Sequence, residues 1–348
     1  MNLHDLAPTA ARRLAQMTRE QKIASLLMLH APGTDPTAIR TFMKTHQPGG
    51  FIIMPDNVPS TLTELASITA AARTDEHFPA LLAIDQEGGR VSRIVSDQAP
   101  SSLTLKHRPP AEAQDAFHWR AEMLANVGIT VNFGIVADVT ADADSFIYGR
   151  ALGTAPAEAA DRVSAAVAGE HGTVLSTLKH FPGHGRAPGD SHTSIPETAL
   201  DFETWLRTDA VPFAAGIVAG ADLVMVGHLT YSALDECPAT LTSVWHRVLR
   251  ERLGFDGVII TDDMLMLRDS GHPEYRNASE NAVRALAAGA TMLLFVLRGD
   301  PAFDGTDAPT LIADISAAVD AGGLSEELID RAALRLLMLR GRTARPTV

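Results

Sequence analysis

Eight short apolar runs recur along the chain, each followed by a longer helix-like or polar segment, and this alternation restricts the fold more than any other feature. The runs are SLLMLH (25–30), GGFIIM (49–54), ALLAID (80–85), TVNFGIVADV (130–139), VLSTLKHF (174–181), LVMVGHL (223–229), GVIITDDM (257–264) and MLLFVL (292–297). Between them lie helical patterns such as 60–74, 156–171 and 279–290, and ELIDRAALRLLMLRGR closes the chain. Strands that are apolar on both faces and separated by helices belong to a parallel sheet covered on both sides. Such a sheet is either open and doubly wound or closed into a barrel, and the polar residues choose between them. Asp85, Gln86 and Glu87, then Asp138, Lys179 with His180, His228, and Asp262 with Asp263 all stand at the C-terminal ends of runs. Such groups are costly to bury without a purpose. An open sheet would scatter them along an edge, whereas a barrel gathers them at one mouth. Eight units in 348 residues, with no linker, repeat or composition break, predict a single-domain (β/α)8 TIM barrel over 1–348.

Composition excludes several partners. A formal charge of −13 leaves no basic stripe for nucleic acid. The one cysteine, Cys237, cannot form an intrachain disulfide. No run approaches the ~18 apolar residues of a membrane span, since even AGIVAGADLVMVGHL is broken by Asp222 and His228. The first residues lack the basic-then-apolar order of a signal peptide, being interrupted by Asp5, Arg12 and Arg13, so a cytoplasmic location is expected.

Two segments concentrate chemistry. KHFPGHGRAPGDSH (179–192) follows a strand, and its Pro and Gly content makes it a non-helical loop holding three histidines. His180 and His184 would share a face only on a helix, and no matching Cys or Glu pair accompanies them, so neither metal nor cofactor is expected. Acid–base work fits better. Asp190 and His192 are two residues apart in a turn, close enough for the carboxylate to hold one ring nitrogen and leave the other for a substrate. GVIITDDM delivers two adjacent carboxylates at the end of a buried strand. Side-chain alternation lets only one of Asp262 and Asp263 enter the mouth, and helix N-capping accounts for at most one, so the other is a candidate nucleophile. DQEGGRV (85–91) lacks the glycine spacing of a phosphate loop, and its acidic groups suit hydroxyl recognition instead.

At these residues the chain resembles the β-N-acetylglucosaminidase branch of glycoside hydrolase family 3. The segments that carry the resemblance are AIDQEGGRV, GITVNFGIVADV, KHFPGHG with its DSH, VMVGHL, and PATLTSVWHRVLRERLGFDGVIITDDM, in order from about Leu14 onward. The resemblance implies Asp262 as nucleophile and Asp190 with His192 as an acid/base dyad. It implies Asp85, Arg150, Lys179 and His180 as ligands to sugar hydroxyls and the acetamido group, with His228, Asp138 and Arg93 completing or supporting the pocket. It also implies a retaining reaction on a carbohydrate partner, such as GlcNAc-containing muropeptides. A phosphorylase and a non-catalytic sugar-binding barrel are the alternatives. The chain departs from the family at SSLTLKHRPP (101–110), at Ala151 and Leu152 after Arg150, and at Thr291, which reads as structural.

Overall fold

The structure, a computed structural model, describes residues 3–344; the expected domain over 1–348 includes ends that lie outside the described residues. Its centre is a closed barrel of eight parallel strands, β1 (Leu27–Leu29), β2 (Gly50–Ile53), β3 (Leu81–Ile84), β4 (Val131–Val136), β5 (Leu175–Phe181), β6 (Leu223–Val226), β7 (Val258–Asp263) and β8 (Met292–Phe295). Neighbours in sequence are neighbours in the sheet, and β1 closes the barrel on β8 with Leu27 opposite Leu293. Each strand falls inside one of the eight apolar runs.

Alternation along the strands explains why those runs are unbroken. Leu81 and Ala83 of β3, Leu223 and Met225 of β6, and Val258 and Ile260 of β7 pack together in one buried cluster. Their intervening neighbours Leu82, Val224 and Ile259 pack into separate clusters that include helix residues. Both faces of these three strands are therefore apolar until their C-terminal ends. The helices over 62–72, 156–170, 278–288 and 326–342 cover the outside. Their starts carry side-chain caps where the chain needs them, including Thr61 with Glu64 in a capping box and Ser325 ahead of the last helix. No helix among the described residues is long and apolar enough to cross a membrane.

The inward parity also aims the polar ends. Asp85 continues Leu81 and Ala83, Lys179 continues Leu175 and Thr177, and Asp262 continues Val258 and Ile260. All three stand at C-terminal strand ends, the mouth of such a barrel.

Candidate active site

The mouth holds a cleft of about 500 Å³, lined in part by Asp85, Arg93, Arg150, Lys179, His180, His192 and Asp262. Its floor is a chain of alternating charges. Arg93 Nη2 donates to Asp85 Oδ2 at 3.0 Å, and Lys179 Nζ donates to Asp85 Oδ1 at 2.9 Å. Lys179 also reaches Glu87 Oε1 at 2.7 Å, and Arg150 grips both oxygens of Glu87 at 2.7 and 2.9 Å. Burial opposes ionisation of Glu87, but Lys179 and Arg150 outweigh it and hold the carboxyl down at about 2. Asp85 is driven the same way by Lys179 and Arg93 against its own burial. The fan of donors and acceptors is thus fixed before any ligand arrives.

Glu87 was read from the sequence as one of the acidic groups of DQEGGRV suited to hydroxyl recognition, without a role of its own. It lies two residues beyond Asp85 in a short antiparallel ribbon of Gln86–Gly88 with Val91–Ser92, so the two-residue step could have found it. The turn needs glycine at Gly88, where φ is +88° and a Cβ would stand 2.0 Å from the Arg120 guanidinium. Glu87→Gln would leave Lys179 and Arg150 without their shared anion, and is expected to lower the unfolding free energy by roughly 3–5 kcal/mol. Because the folded carboxyl titrates below its ordinary 4.5, its contribution is complete above that pH and is lost as pH falls towards 2. Urea melts of both proteins at pH 7 and in acid check this: the gap should narrow on acidification.

His180 is held as a neutral ring. Its Nδ1 donates to Asp138 Oδ2 at 2.8 Å, while Arg150 Nη2 donates to its Nε2 at 3.2 Å. Burial and the Arg150 charge push the imidazole well below its usual range. Asp138 is fully buried and also accepts the amide N–H groups of His180 and His184. Burial lifts it to about 6 despite those donors. Asp138 therefore supports the pocket from behind. His180 reaches the mouth although it has the outward parity, because the pairing of β5 with β6 shifts register between Leu178 and Phe181.

Asp262 and Asp263 both line the cleft but differ in their bonds. Asp263 Oδ1 accepts the amides of Leu265 and Val296 and caps the helix Met264–Asp269. Burial raises it to about 6 even so. Among the described residues Asp262 accepts one bond, from the Asp263 amide to Oδ1 at 2.9 Å. Burial disfavours its charge, but His180, His228, that amide and Lys179 bring it below the ordinary carboxylate range, so it stands ionised in the cleft. His228 stands apart from the other expected ligands. Its Nδ1 bonds Thr240 Oγ1 at 2.8 Å and its Nε2 bonds the Asp263 carbonyl at 2.9 Å, so it braces the end of β7.

The loop after β5 carries Asp190 and His192, and His192 lines the cleft. Its root is pinned: Trp205 Nε1 donates to the Pro182 carbonyl at 2.8 Å and Tyr231 Oη to that of Gly183 at 2.7 Å. Both aromatics belong to a buried cluster with Phe181 and Trp245. Further out, Asp190 Oδ1 accepts His192 Nδ1 at 2.7 Å and the His192 amide at 3.0 Å. The His192 ring is 60% exposed and packs edge-on to Phe146 at 5.7 Å. Phe146 was not anticipated; it stacks beneath the Arg150 guanidinium as well, 5.0 Å from centroid to Cζ. Among the described residues no group of three or more His, Cys, Asp or Glu side chains is arranged to hold a metal ion.

Comparison with known proteins bears on the fold and the family. The family described as the glycosyl hydrolase family 3 N terminal domain matches residues 18–339. A β-hexosaminidase of Pseudomonas aeruginosa is 36% identical over 275 residues, which is 76% of this chain and 80% of that protein. The β-hexosaminidase LpqI of Mycobacterium tuberculosis is 29% identical, with 94% of this chain and 84% of that protein covered. The solved structure of M. tuberculosis LpqI superposes with a TM-score of 0.81 at 29% identity, covering 94% of this chain and 95% of that one. A family 3 β-N-acetylglucosaminidase from Paenibacillus sp. str. FPU-7 superposes with a TM-score of 0.86 at 30% identity, covering 95% of this chain and 64% of the larger protein.

Proposed function

From the premise that the chain belongs to glycoside hydrolase family 3, as a β-N-acetylhexosaminidase, we propose that it removes terminal β-linked N-acetylglucosamine by a retaining, two-step mechanism carried within one barrel domain. What supports this reading is a single cleft lined by both Asp262, whose carboxyl is held below the ordinary range, and His192, whose Nδ1 is bonded to Asp190. With Nδ1 of His192 held by Asp190, its Nε2 is free to protonate the glycosidic oxygen. Oδ2 of Asp262 then attacks the anomeric carbon, the C1–O bond breaks, and a glycosyl-aspartate forms. Water, deprotonated by the same His192, attacks that carbon in the second step and releases the sugar with its configuration retained. Substrate-assisted attack by the acetamido oxygen would need no enzyme nucleophile and leaves the placement of Asp262 without a purpose.

Asp85, Lys179, Arg150 and His180 supply the binding half of the proposal. The Asp85 carboxylate accepts from sugar hydroxyls, Lys179 and Arg150 donate to the hydroxyls and acetamido group, and His180, bonded at both nitrogens, holds Arg150 in place. Such a site penalises a substrate that leaves its buried groups unpaired. An aryl β-N-acetylglucosaminide should therefore turn over far faster than the aryl β-glucoside, by about 10²-fold or more in kcat/KM. Comparable rates on the two would remove the acetamido group from the account. The same assay with added inorganic phosphate separates hydrolysis, which gives free sugar, from phosphorolysis, which gives a sugar 1-phosphate. Release of N-acetylglucosamine from a purified muropeptide tests the cell-wall-fragment substrate that belongs to the same proposal.

A further inference from the structure

His184 is 2% exposed, and neither of its ring nitrogens has a hydrogen-bond partner among the described residues. Burial pushes its imidazole below the ordinary range, so it carries one N–H and one lone pair, both unmet. A buried polar ring left this way calls for a partner that arrives in another state of the protein. Nearby rings offer none. Phe146, 5.9 Å away, has no polar atom, and His180, 6.1 Å away, has both nitrogens committed to Asp138 and Arg150.

The backbone beneath the ring is fixed, so the ring can turn but cannot travel to a distant partner. The His184 amide donates to Asp138 at 2.6 Å, and the next residue must be glycine, since a Cβ at Gly185 would stand 2.0 Å from the Val139 carbonyl oxygen. The partner therefore has to come to His184.

Asp190 is placed to do so. Its Oδ1 takes both bonds from His192, and Oδ2 accepts none among the described residues. Beyond that pair, the bonds to Asp190 are from Thr193 and Ser194 to its carbonyl, all local to the loop. Asp190 and His184 share a neighbour: the Phe146 ring lies 5.9 Å from His184 and 5.7 Å from His192, the residue that Asp190 holds.

We infer that His184 is a positioning residue for the acid–base pair: when the 188–194 segment settles onto the cleft, a ring N–H of His184 donates to Oδ2 of Asp190 while Oδ1 keeps His192. Two donors on one carboxylate fix its rotation, and through it the direction of His192 Nε2. The inference rests on the reading of Asp190 and His192 as acid and base. No bond to substrate is made by His184 itself.

The test compares His184→Phe, which keeps a ring and removes the donor, with His184→Asn and His184→Gln, whose amides place an N–H near the Nδ1 and Nε2 positions. Each is assayed on a nitrophenyl β-N-acetylglucosaminide and on an alkyl one with a poor leaving group. His184→Phe should lose about 10-fold or more in kcat/KM on the alkyl substrate and much less on the nitrophenyl one, as expected for a misaimed acid. At least one amide variant should recover part of the loss. Equal losses on both substrates, or none, overturn the assignment. His192→Ala run alongside keeps the two readings apart: a leaving-group split there but not in His184→Phe removes His184 alone, whereas no split in His192→Ala removes the acid–base reading beneath it. Should His184→Phe not fold, ring 15N spectra of the wild-type glycosyl-enzyme decide. An exchange-protected His184 N–H that vanishes in Asp190→Ala supports the contact, and its absence in the wild type contradicts it.

Discussion

Asp262→Asn is expected to abolish turnover on every substrate, whatever the leaving group, with a loss of about 10⁴-fold or more in kcat. The reason is the charge. The carboxylate that would attack is ionised in spite of burial, and the amide that replaces it can neither attack nor balance the positive charge developing at the anomeric carbon. The substitution is nearly isosteric and keeps an oxygen for the Asp263 amide, so the fold should survive. Asp263→Asn is the control. Its carboxylate works as a helix cap and as an acceptor for Val296, roles that an amide oxygen also fills, so activity should fall far less. Equal losses in the two variants would mean that the wrong aspartate has been assigned.

His192→Ala should give a loss that depends on the leaving group. General acid catalysis is typically worth roughly 10² to 10⁴, and it is needed only where the departing oxygen is a poor leaving group. On a nitrophenyl substrate the variant should still form the glycosyl-enzyme, giving a burst of nitrophenol followed by slow turnover, because water then lacks its base. Azide needs no base and should restore the second step, yielding the β-azide. An α-azide would show a single displacement with no intermediate on Asp262. Uniform damage across leaving groups would take His192 out of the acid's role.

Much of this arrangement was legible in the sequence, because a barrel strand buried on both faces has few ways to carry a charge. The steps 81–83–85, 175–177–179 and 258–260–262 run along single inward faces, and each ends on a polar residue at the mouth. The expected N-cap is Asp263, although both aspartates line the cleft. Thr291, read as structural, accepts the Ile259 amide and Arg250.

What the sequence concealed depends on contacts between distant segments. His180 enters the cleft through a register shift that no periodicity reveals. His228, expected beside the substrate, has both nitrogens taken up within the protein. Glu87 gains its importance from Arg150, 63 residues away, and Phe146 from its place between two loops. The root of the 182–192 loop is set by Trp205 and Tyr231, neither of which carries any chemical signature of its own.

The central claim is that a sugar becomes bonded to Asp262. Inactivating the enzyme with a 5-fluoro N-acetylglucosaminyl fluoride, which slows the breakdown of such an intermediate, and mapping the modified peptide by mass spectrometry tests it directly. The account predicts one sugar mass on the peptide containing VIITDDM, located at Asp262 and lost when free azide is added. An enzyme that turns the reagent over with no adduct, or an adduct on Asp263 or any other residue, would contradict it.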